Sequence, residues 1–133
     1  MSKLLILDNA GDRLSFLKYF LEKKDYAVKV LNHTINLFSE IHHYKPDLLL
    51  LDALFGGDGK ELCKQLRSSP ETKGMGILVF SDSPESLTDY KSYYADDFIE
   101  KPFNLNALSD KIKSLLSWIP IRKKALGNPT TPL

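Results

Sequence analysis

A chain of 133 residues is long enough for one domain with a substantial apolar core. Its formal net charge of +1 gives no strong overall field for nucleic acid or for an anionic membrane. The single cysteine, Cys63, excludes an internal disulfide, and the apolar run before Asp8 is too short for a signal-peptide core or a membrane span. We therefore expect a cytoplasmic protein that recognises its partners locally.

The first part of the chain alternates strand and helix patterns. The apolar run Leu4–Leu7 predicts a buried strand, and leucines at helical spacing after it predict a first helix. Tyr26–Leu31 alternates apolar and polar residues, which indicates a strand at a sheet edge with one partly wet face. A second helix is predicted from Thr34 to about His43. The residues expected on its buried stripe are Ile35, Phe38 and Ile41.

The third strand carries the clearest signal. Four consecutive leucines, Leu48–Leu51, fit a strand covered on both faces, as in the centre of a parallel sheet. Asp52 follows directly, and a glycine-rich turn then leads into a third helix in which Cys63 is most simply a small core residue. The carboxyl edge of such a sheet is where ligands bind, and Asp52 falls there. Taken alone, an aspartate in this position is more often a turn or cap residue.

The remaining elements follow the same alternation. Ile77–Phe80 is a fourth strand, a fourth helix opens near Glu85, and Phe98–Ile99 forms the core of a short fifth strand. A final helix from Asn104 repeats apolar residues along one stripe. We expect one domain over residues 1–119 and a disordered tail over 120–133, which has three prolines and a basic run.

The character of the strands predicts their order. Strands one, three and four are continuous apolar runs, whereas strand two alternates and strand five is short, so the last two belong at the edges. The order 2-1-3-4-5 satisfies this in an α/β, doubly wound, five-stranded parallel sheet, a flavodoxin-like three-layer sandwich. In that order one edge gathers the side chains of Asp8, Asn9, Asp52, Ser81 and Lys101.

In this order, these residues resemble the signature of the receiver domain of two-component response regulators, similar to single-domain chemotaxis regulators, over residues 3 to about 118. The features are Asp8-Asn9 after strand one, Asp52 after LLLL, Ser81 after ILVF, and the segment ADDFIEKPF at 95–103. Each feature alone is weak, but the ordered set is specific.

The resemblance implies a phosphorelay function and no enzyme activity of the chain's own. Asp52 would accept a phosphoryl group from a phosphohistidine on a histidine kinase or phosphotransfer protein, giving an aspartyl phosphate. Lys101 would neutralise the phosphoryl oxygens and Ser81 would hydrogen-bond them. Mg²⁺ would be the cofactor, and a site with two acids is favourable only with such a cation. Its implied ligands are Asp8, Asn9, Asp52 and the backbone carbonyl of Leu54.

The resemblance also implies a switch. Movement of Ser81 toward the phosphate would let Phe98 turn inward and change the face made by helix four, strand five and helix five, for a downstream partner or a homodimer. Tyr90, Tyr93 and Tyr94 could belong to that docking surface or be half-buried packing residues. No direct contact with nucleic acid and no membrane insertion is expected.

The chain departs from the family pattern in the metal-binding acids and in the acceptor loop. Asn9 stands where a second carboxylate is usual, so we expect weaker Mg²⁺ binding and slower phosphotransfer. The loop after Asp52 is one residue shorter than usual, and Gly56 and Gly57 should make it more flexible. By resemblance, the Lys101-Pro102 peptide bond could be cis, although the sequence alone favours trans.

Three other functions remain to be compared. A receiver-like interaction module that is weakly or not phosphorylated would explain Asn9, yet Asp52, Ser81 and Lys101 are all present. A haloacid dehalogenase phosphatase would need another aspartate two positions after Asp8, where Ala10 stands. A flavodoxin-type flavin carrier would need a Ser/Thr/Gly-rich phosphate loop in place of this acidic turn.

Overall fold

Strands and helices alternate along the chain in the computed structural model, which describes residues 1–9, 11–55, 58–102 and 104–126. Within those ranges there are five strands and four α-helices. The strands are β1 (Lys3–Leu7), β2 (Ala27–Leu31), β3 (Leu48–Asp52), β4 (Gly76–Ser81) and β5 (Asp97–Glu100). The α-helices are α1 (Gly11–Lys23), α2 (Leu37–Tyr44), α3 (Gly59–Ser68) and α4 (Leu105–Leu126).

The strands form one parallel sheet in the order β2-β1-β3-β4-β5, which confirms the predicted doubly wound arrangement. Leu7 is level with Leu51, and Leu51 is level with Val79, so the carboxyl ends of the three central strands lie side by side. The sheet therefore places the residues that follow β1, β3 and β4 next to one another.

Alternate residues of each central strand enter two apolar layers. Leu4 and Ile6 pack with α1 and α4 on one face of the sheet, while Leu5 and Leu7 pack with α2 and α3 on the other. The continuous leucine runs are thus explained by helices on both faces. Cys63 is fully buried in the second layer, where burial raises the pKa of its thiol to about 11, so it is a core residue as predicted.

Helix α2 begins later than predicted and buries a different stripe. Asn36 has a left-handed backbone conformation (φ 57°), and the helix starts only at Leu37. Leu37 and Ile41 are buried, whereas Ile35 is 69% exposed and Phe38 is 44% exposed. The predicted stripe was wrong for Ile35 because it precedes the helix. It was wrong for Phe38 because the inner face follows Leu37 and Ile41, at i and i+4, and Phe38 is rotated about 100° from Leu37.

The predicted fourth helix is not an α-helix. Between β4 and β5 the chain forms two short 3₁₀ turns, Pro84–Ser86 and Tyr90–Tyr93. The Thr88 hydroxyl donates to the Glu85 carbonyl at 3.1 Å and the Ser92 hydroxyl donates to the Asp89 carbonyl at 2.7 Å. Such local side-chain bonds compete with a regular helix. The face predicted as helix four, strand five and helix five is therefore made of the Tyr90–Tyr93 turn, β5 and α4.

Helix α4 differs from the prediction at its end, since it passes through Pro120 and runs on to Leu126. Residues 120–126 of the expected disordered tail are thus helical, and 127–133 lie outside the described residues. The Arg122 guanidinium holds this extension by hydrogen bonds to the carbonyls of Gly74 and Met75, both 3.0 Å long. Neither α4 nor another helix in the described ranges combines the length and the apolar character needed to cross a membrane.

Candidate functional site

The carboxyl edge of the sheet brings together the side chains that the sequence pattern singled out. Asp8 follows β1, Asp52 ends β3, Ser81 ends β4, and Lys101 directly follows β5. The Lys101 amide donates to the Ser81 carbonyl at 2.9 Å, which attaches the end of β5 to the end of β4. The peptide bond between Lys101 and Pro102 is cis.

The Lys101 ammonium lies between the two carboxylates. Its Nζ donates to Asp8 Oδ2 at 3.2 Å and to Asp52 Oδ2 at 3.0 Å. The side chains are 9% exposed for Lys101, 8% for Asp8 and 15% for Asp52. Two carboxylates thus share one ammonium in this largely buried cluster, and Asp52 is the more accessible of the two acids.

Local backbone geometry holds Asp52 in place. Its Oδ1 accepts a hydrogen bond of 2.8 Å from the amide of Leu54, in an Asx turn. The chain then returns so closely that a Cβ at Gly59 would lie 2.4 Å from the Asp52 carbonyl oxygen, which only glycine permits. Asp58 caps α3 by accepting from the Glu61 amide at 3.1 Å. Gly56 and Gly57, whose flexibility was predicted, lie outside the described residues.

The other predicted residues lie at different depths in the fold. Ser81 is buried, and its Oγ accepts a hydrogen bond of 3.0 Å from the Ser83 amide. Asn9 is exposed beside Asp8. Phe98 is 36% exposed and packs against Tyr90, with ring centroids 4.9 Å apart and ring planes tilted by 45°. Phe98 thus lies at the surface in this conformation. The roles assigned to these residues stay predictions.

The oxygen atoms of the cluster fit a hard divalent cation. Asp8 Oδ2 and Asp52 Oδ2 converge on one point, the Lys101 Nζ, so a cation already bridges them. Mg²⁺ is commonly held by one or two carboxylates and several waters. Across the residues that the structure describes, no group of three His, Cys, Asp or Glu side chains could hold a metal ion. A metal site here must therefore rest on two carboxylates, with Asn9 or a carbonyl as further oxygen donors.

A second charged cluster, which the sequence did not predict, lies at the opposite, amino edge of the sheet. Asp96 precedes β5 and binds two arginines, with Arg67 Nη2 at 2.7 Å and Arg122 Nη1 at 2.5 Å. Asp96 Oδ2 also accepts from the Ile77 amide at 2.9 Å. The three charged residues come from α3, the loop before β5 and α4. No spacing pattern links residues so far apart in sequence, and only the motif segment at 95–103 hinted at Asp96.

Comparison with known proteins supports the same fold and family. Residues 4–113 match the family described as response regulator receiver domain. The phosphate regulon transcriptional regulatory protein PhoB of Rhizobium meliloti is 28% identical over 119 residues, covering 87% of this chain and 52% of PhoB. The chain thus spans about half the length of the curated relatives it matches.

Solved structures agree closely. A two-component response regulator from Clostridium difficile is 29% identical, with a TM-score of 0.78 and coverage of 88% of this chain and 97% of the other. The CheY-like receiver domain protein from Methanospirillum hungatei is 25% identical, with a TM-score of 0.81 and coverage of 92% and 99%. The sheet order, the acidic carboxyl edge and the extent of these matches lead to one conclusion: the chain belongs to the family of response regulator receiver domains of two-component systems.

Proposed function

We propose that this receiver domain accepts a phosphoryl group on Asp52. The observation that carries the proposal is the position of the Lys101 ammonium, within 3.2 Å of both the Asp8 and the Asp52 carboxylates at the carboxyl edge of the sheet. A transferring phosphoryl group is rich in negative charge, and positioning with charge neutralisation is most of what its transfer asks of a protein.

The donor would be a phosphohistidine on a histidine kinase or on a phosphotransfer protein. Asp52 Oδ2 attacks the phosphorus, a new P–O bond forms, and the P–N bond to the donor imidazole breaks. The imidazole keeps the electron pair and is released, while Asp52 becomes an aspartyl phosphate. The Leu54 amide holds Oδ1 of the acceptor at 2.8 Å, which leaves Oδ2 as the nucleophilic oxygen. The chain acts here as a regulated phosphoacceptor and not as an enzyme with its own substrate turnover.

Asp8, Asp52, Asn9 and the Leu54 carbonyl would hold Mg²⁺, which when bound supplies positive charge to the phosphoryl oxygens. Asp8 orients the site because its Oδ2 shares the Lys101 ammonium with Asp52. Lys101 is held at both ends, since its amide bonds to β4 and its Nζ bonds to the acids. A phosphoryl group on Asp52 Oδ2 would therefore lie beside an ammonium that is already in place.

Phosphorylation would be read out on the face made of the Tyr90–Tyr93 turn, β5 and α4. The Ser81 hydroxyl, which now accepts from the Ser83 amide, would donate to the phosphoryl group and move the start of that turn region. Phe98 would turn from its surface position toward the space so released. A downstream protein or a second copy of the chain would bind the changed face.

A second candidate is an interaction module with a receiver fold that is weakly or not phosphorylated. One observation favours it: the cluster has two carboxylates, while the adjacent position is the exposed amide of Asn9. Such a module would bind its partner in the same way with and without a phosphoryl donor.

The deciding experiment is incubation with acetyl phosphate and Mg²⁺, followed by intact mass measurement. We expect the wild type to gain one phosphoryl group, Asp52→Ala to gain none, and Asp110→Ala, which removes an exposed carboxylate of α4, to behave like the wild type. Phosphorylation of the Asp52→Ala variant would show that the acceptor is another residue. A wild type that stays unmodified but binds a partner would establish the second candidate.

A further inference from the structure

A groove at the amino edge of the sheet combines apolar walls with a cationic rim. Its volume is about 740 Å³, and it lies between the end of α2, the loop from α3 to β4, and the end of α4. Ile41, Pro46 and Met75 form a buried apolar floor. Phe38 and Leu126, both more than a third exposed, stand on opposite walls. The groove is far from the acidic cluster, which occupies the other edge.

The charges around the groove are predominantly positive. Its lining includes the lysines Lys45, Lys73, Lys123 and Lys124. None of these lysines forms an ion pair with a carboxylate among the described residues. Glu71 is the one acidic residue among the described lining residues, and its Oε2 lies 3.8 Å from Nδ1 of His42. A molecule that fills the groove would thus meet an apolar floor and unpaired ammonium groups at its rim.

One wall of the groove comes from a part of the chain outside the family match. The match ends at residue 113, and the wall is formed by Lys123, Lys124 and Leu126 at the end of α4. This wall is firmly seated, because Arg122 binds Asp96 and the carbonyls of Gly74 and Met75. A Cβ added to Gly74 would lie 3.2 Å from Lys123 Cγ and 3.5 Å from Leu126 Cδ1. These contacts therefore fix the position of the α4 wall of the groove.

We propose that this groove is a docking site for an acidic, amphipathic helix of a partner protein. The apolar face of such a helix would lie on Ile41 and Met75 between the walls of Phe38 and Leu126. Its acidic residues would face Lys73, Lys123 and Lys124 on the side of α4 and Lys45 at the end of α2. Helices bind grooves in this way through anchors at i, i+3, i+4 and i+7. The complementary charge would set orientation and partner choice.

Other occupants fit less well. Single-stranded nucleic acid favours a basic groove with several aromatic platforms for base stacking, whereas Phe38 is the single aromatic ring among the described lining residues apart from His42. The chain's own residues 127–133 follow the last helix, but they contain no acidic side chain to match the lysines. Charge and floor together therefore favour an acidic polypeptide with apolar anchors.

The test uses a fluorescein-labelled amphipathic peptide of about 14 residues, about 20 Å long as a helix, with leucines on one face and glutamates on the other. Two control peptides replace the glutamates with glutamine or the leucines with serine. By fluorescence anisotropy we expect saturable binding of the acidic amphipathic peptide, weakened by salt, and much weaker binding of both controls. Equal binding of all three peptides, or no binding of any, would overturn the proposal.

Variants of the protein test whether the peptide binds in the groove. Lys123→Glu with Lys124→Glu keeps the Cγ that packs on Gly74 and reverses two rim charges, so we expect affinity to fall about tenfold or more. Lys18→Glu with Lys113→Glu makes the same charge change on exposed faces of α1 and α4 and should leave affinity unchanged. Phe38→Ser, on the opposite wall, gives an independent test of the apolar contact. Equal affinity in the groove and control variants would refute the site.

Two further measurements test whether the groove has a different occupant. Tighter binding of a labelled single-stranded DNA of similar charge would assign the groove to nucleic acid and overturn the proposal. A chain that ends at Leu126 and binds the peptide far more tightly would mean that residues 127–133 occupy the groove, which would also overturn it. The docking site does not depend on the phosphoacceptor proposal. Asp52→Ala should bind the peptide normally, and the Lys123→Glu, Lys124→Glu variant should still be phosphorylated by acetyl phosphate.

Discussion

The two edges of the sheet carry buried ionic clusters with opposite balances of charge. At the carboxyl edge one ammonium, that of Lys101, forms ion pairs with the carboxylates of Asp8 and Asp52. At the amino edge two guanidinium groups, those of Arg67 and Arg122, form ion pairs with the carboxylate of Asp96. In these ion pairs two acids share one cation at the carboxyl edge, whereas two cations share one acid at the amino edge.

The difference separates a reactive edge from a structural one. Two carboxylates that share one ammonium at the carboxyl edge can bind a further cation, and the more accessible one can attack an electrophile, so that edge can do chemistry. At the amino edge Asp96 is paired with both arginines, and several further arginine donors bind backbone carbonyls, such as that of Lys73 from Arg67 at 3.0 Å. Among the described residues Arg122 Nε is buried without a hydrogen-bond partner. That cluster joins α3, β5 and α4 to each other.

The largest effect should come from breaking the amino-edge cluster. Asp96→Ala leaves Arg67 and Arg122 without their carboxylate in a largely buried position, so we expect the free energy of unfolding to fall by about 3 kcal/mol or more. Urea unfolding measures it. Asp97→Ala, which removes the partly exposed pair with Lys111, should cost less than about 1 kcal/mol. Equal losses in the two variants would mean that the Asp96 cluster is not a structural clamp.

Next in size is the loss of the ammonium at the carboxyl edge. Lys101→Met removes the charge that faces the phosphoryl oxygens, so we expect phosphorylation by acetyl phosphate to slow by about 100-fold. Mg²⁺ binding should strengthen, because the ammonium no longer competes for Asp8 and Asp52. Lys111→Met is the control and should change neither quantity. Weaker Mg²⁺ binding in Lys101→Met would contradict the competition between the two cations.

A smaller effect is expected when a carboxylate is added at the carboxyl edge. Asn9→Asp adds a carboxylate beside Asp8, and we expect Mg²⁺ to bind about tenfold more tightly, which corresponds to about 1.4 kcal/mol. Isothermal titration calorimetry is the suitable measurement, because Trp118 packs against Arg122 and not at this edge. Asn36→Asp makes the same change at an exposed position before α2 and should leave Mg²⁺ affinity unchanged. An unchanged affinity in Asn9→Asp would refute the role assigned to Asn9.

The smallest effect on stability is expected at the readout face. Tyr93 is buried, and burial raises the pKa of its hydroxyl to about 12, so it is a packing residue. Tyr94 directly follows the Tyr90–Tyr93 turn at the margin of that face, is 58% exposed, and is the better probe of docking. Tyr94→Ala should change the free energy of unfolding by about 0.5 kcal/mol or less, yet abolish any association that phosphorylation induces in gel filtration. Tyr19→Ala, an exposed tyrosine on α1, is the control; association that survives in Tyr94→Ala would exclude that residue from the interface.

Several features were predictable because their causes are local. Leu48–Leu51 must be covered on both faces, which is enough to predict a central parallel strand. The polar residues that follow the apolar runs could then be assigned to one edge of the sheet. The start of α2 was missed because it depends on the left-handed conformation of Asn36. The predicted fourth helix was wrong because hydroxyl-to-carbonyl bonds of Thr88 and Ser92 compete with helical ones.

The sequence by itself determined the alternating elements, the order of the strands and the family, because periodicity and strand-end residues are recorded directly in neighbouring positions. Only the tertiary structure decided that Arg67, Asp96 and Arg122 meet, that α4 continues through Pro120, and that a cationic groove forms beside it. Each of these depends on ionic contacts between segments more than 25 residues apart, such as Arg67 with Asp96 and Asp96 with Arg122. Such contacts leave no periodic pattern in the chain, and their energies exist only once the sheet has brought the segments together.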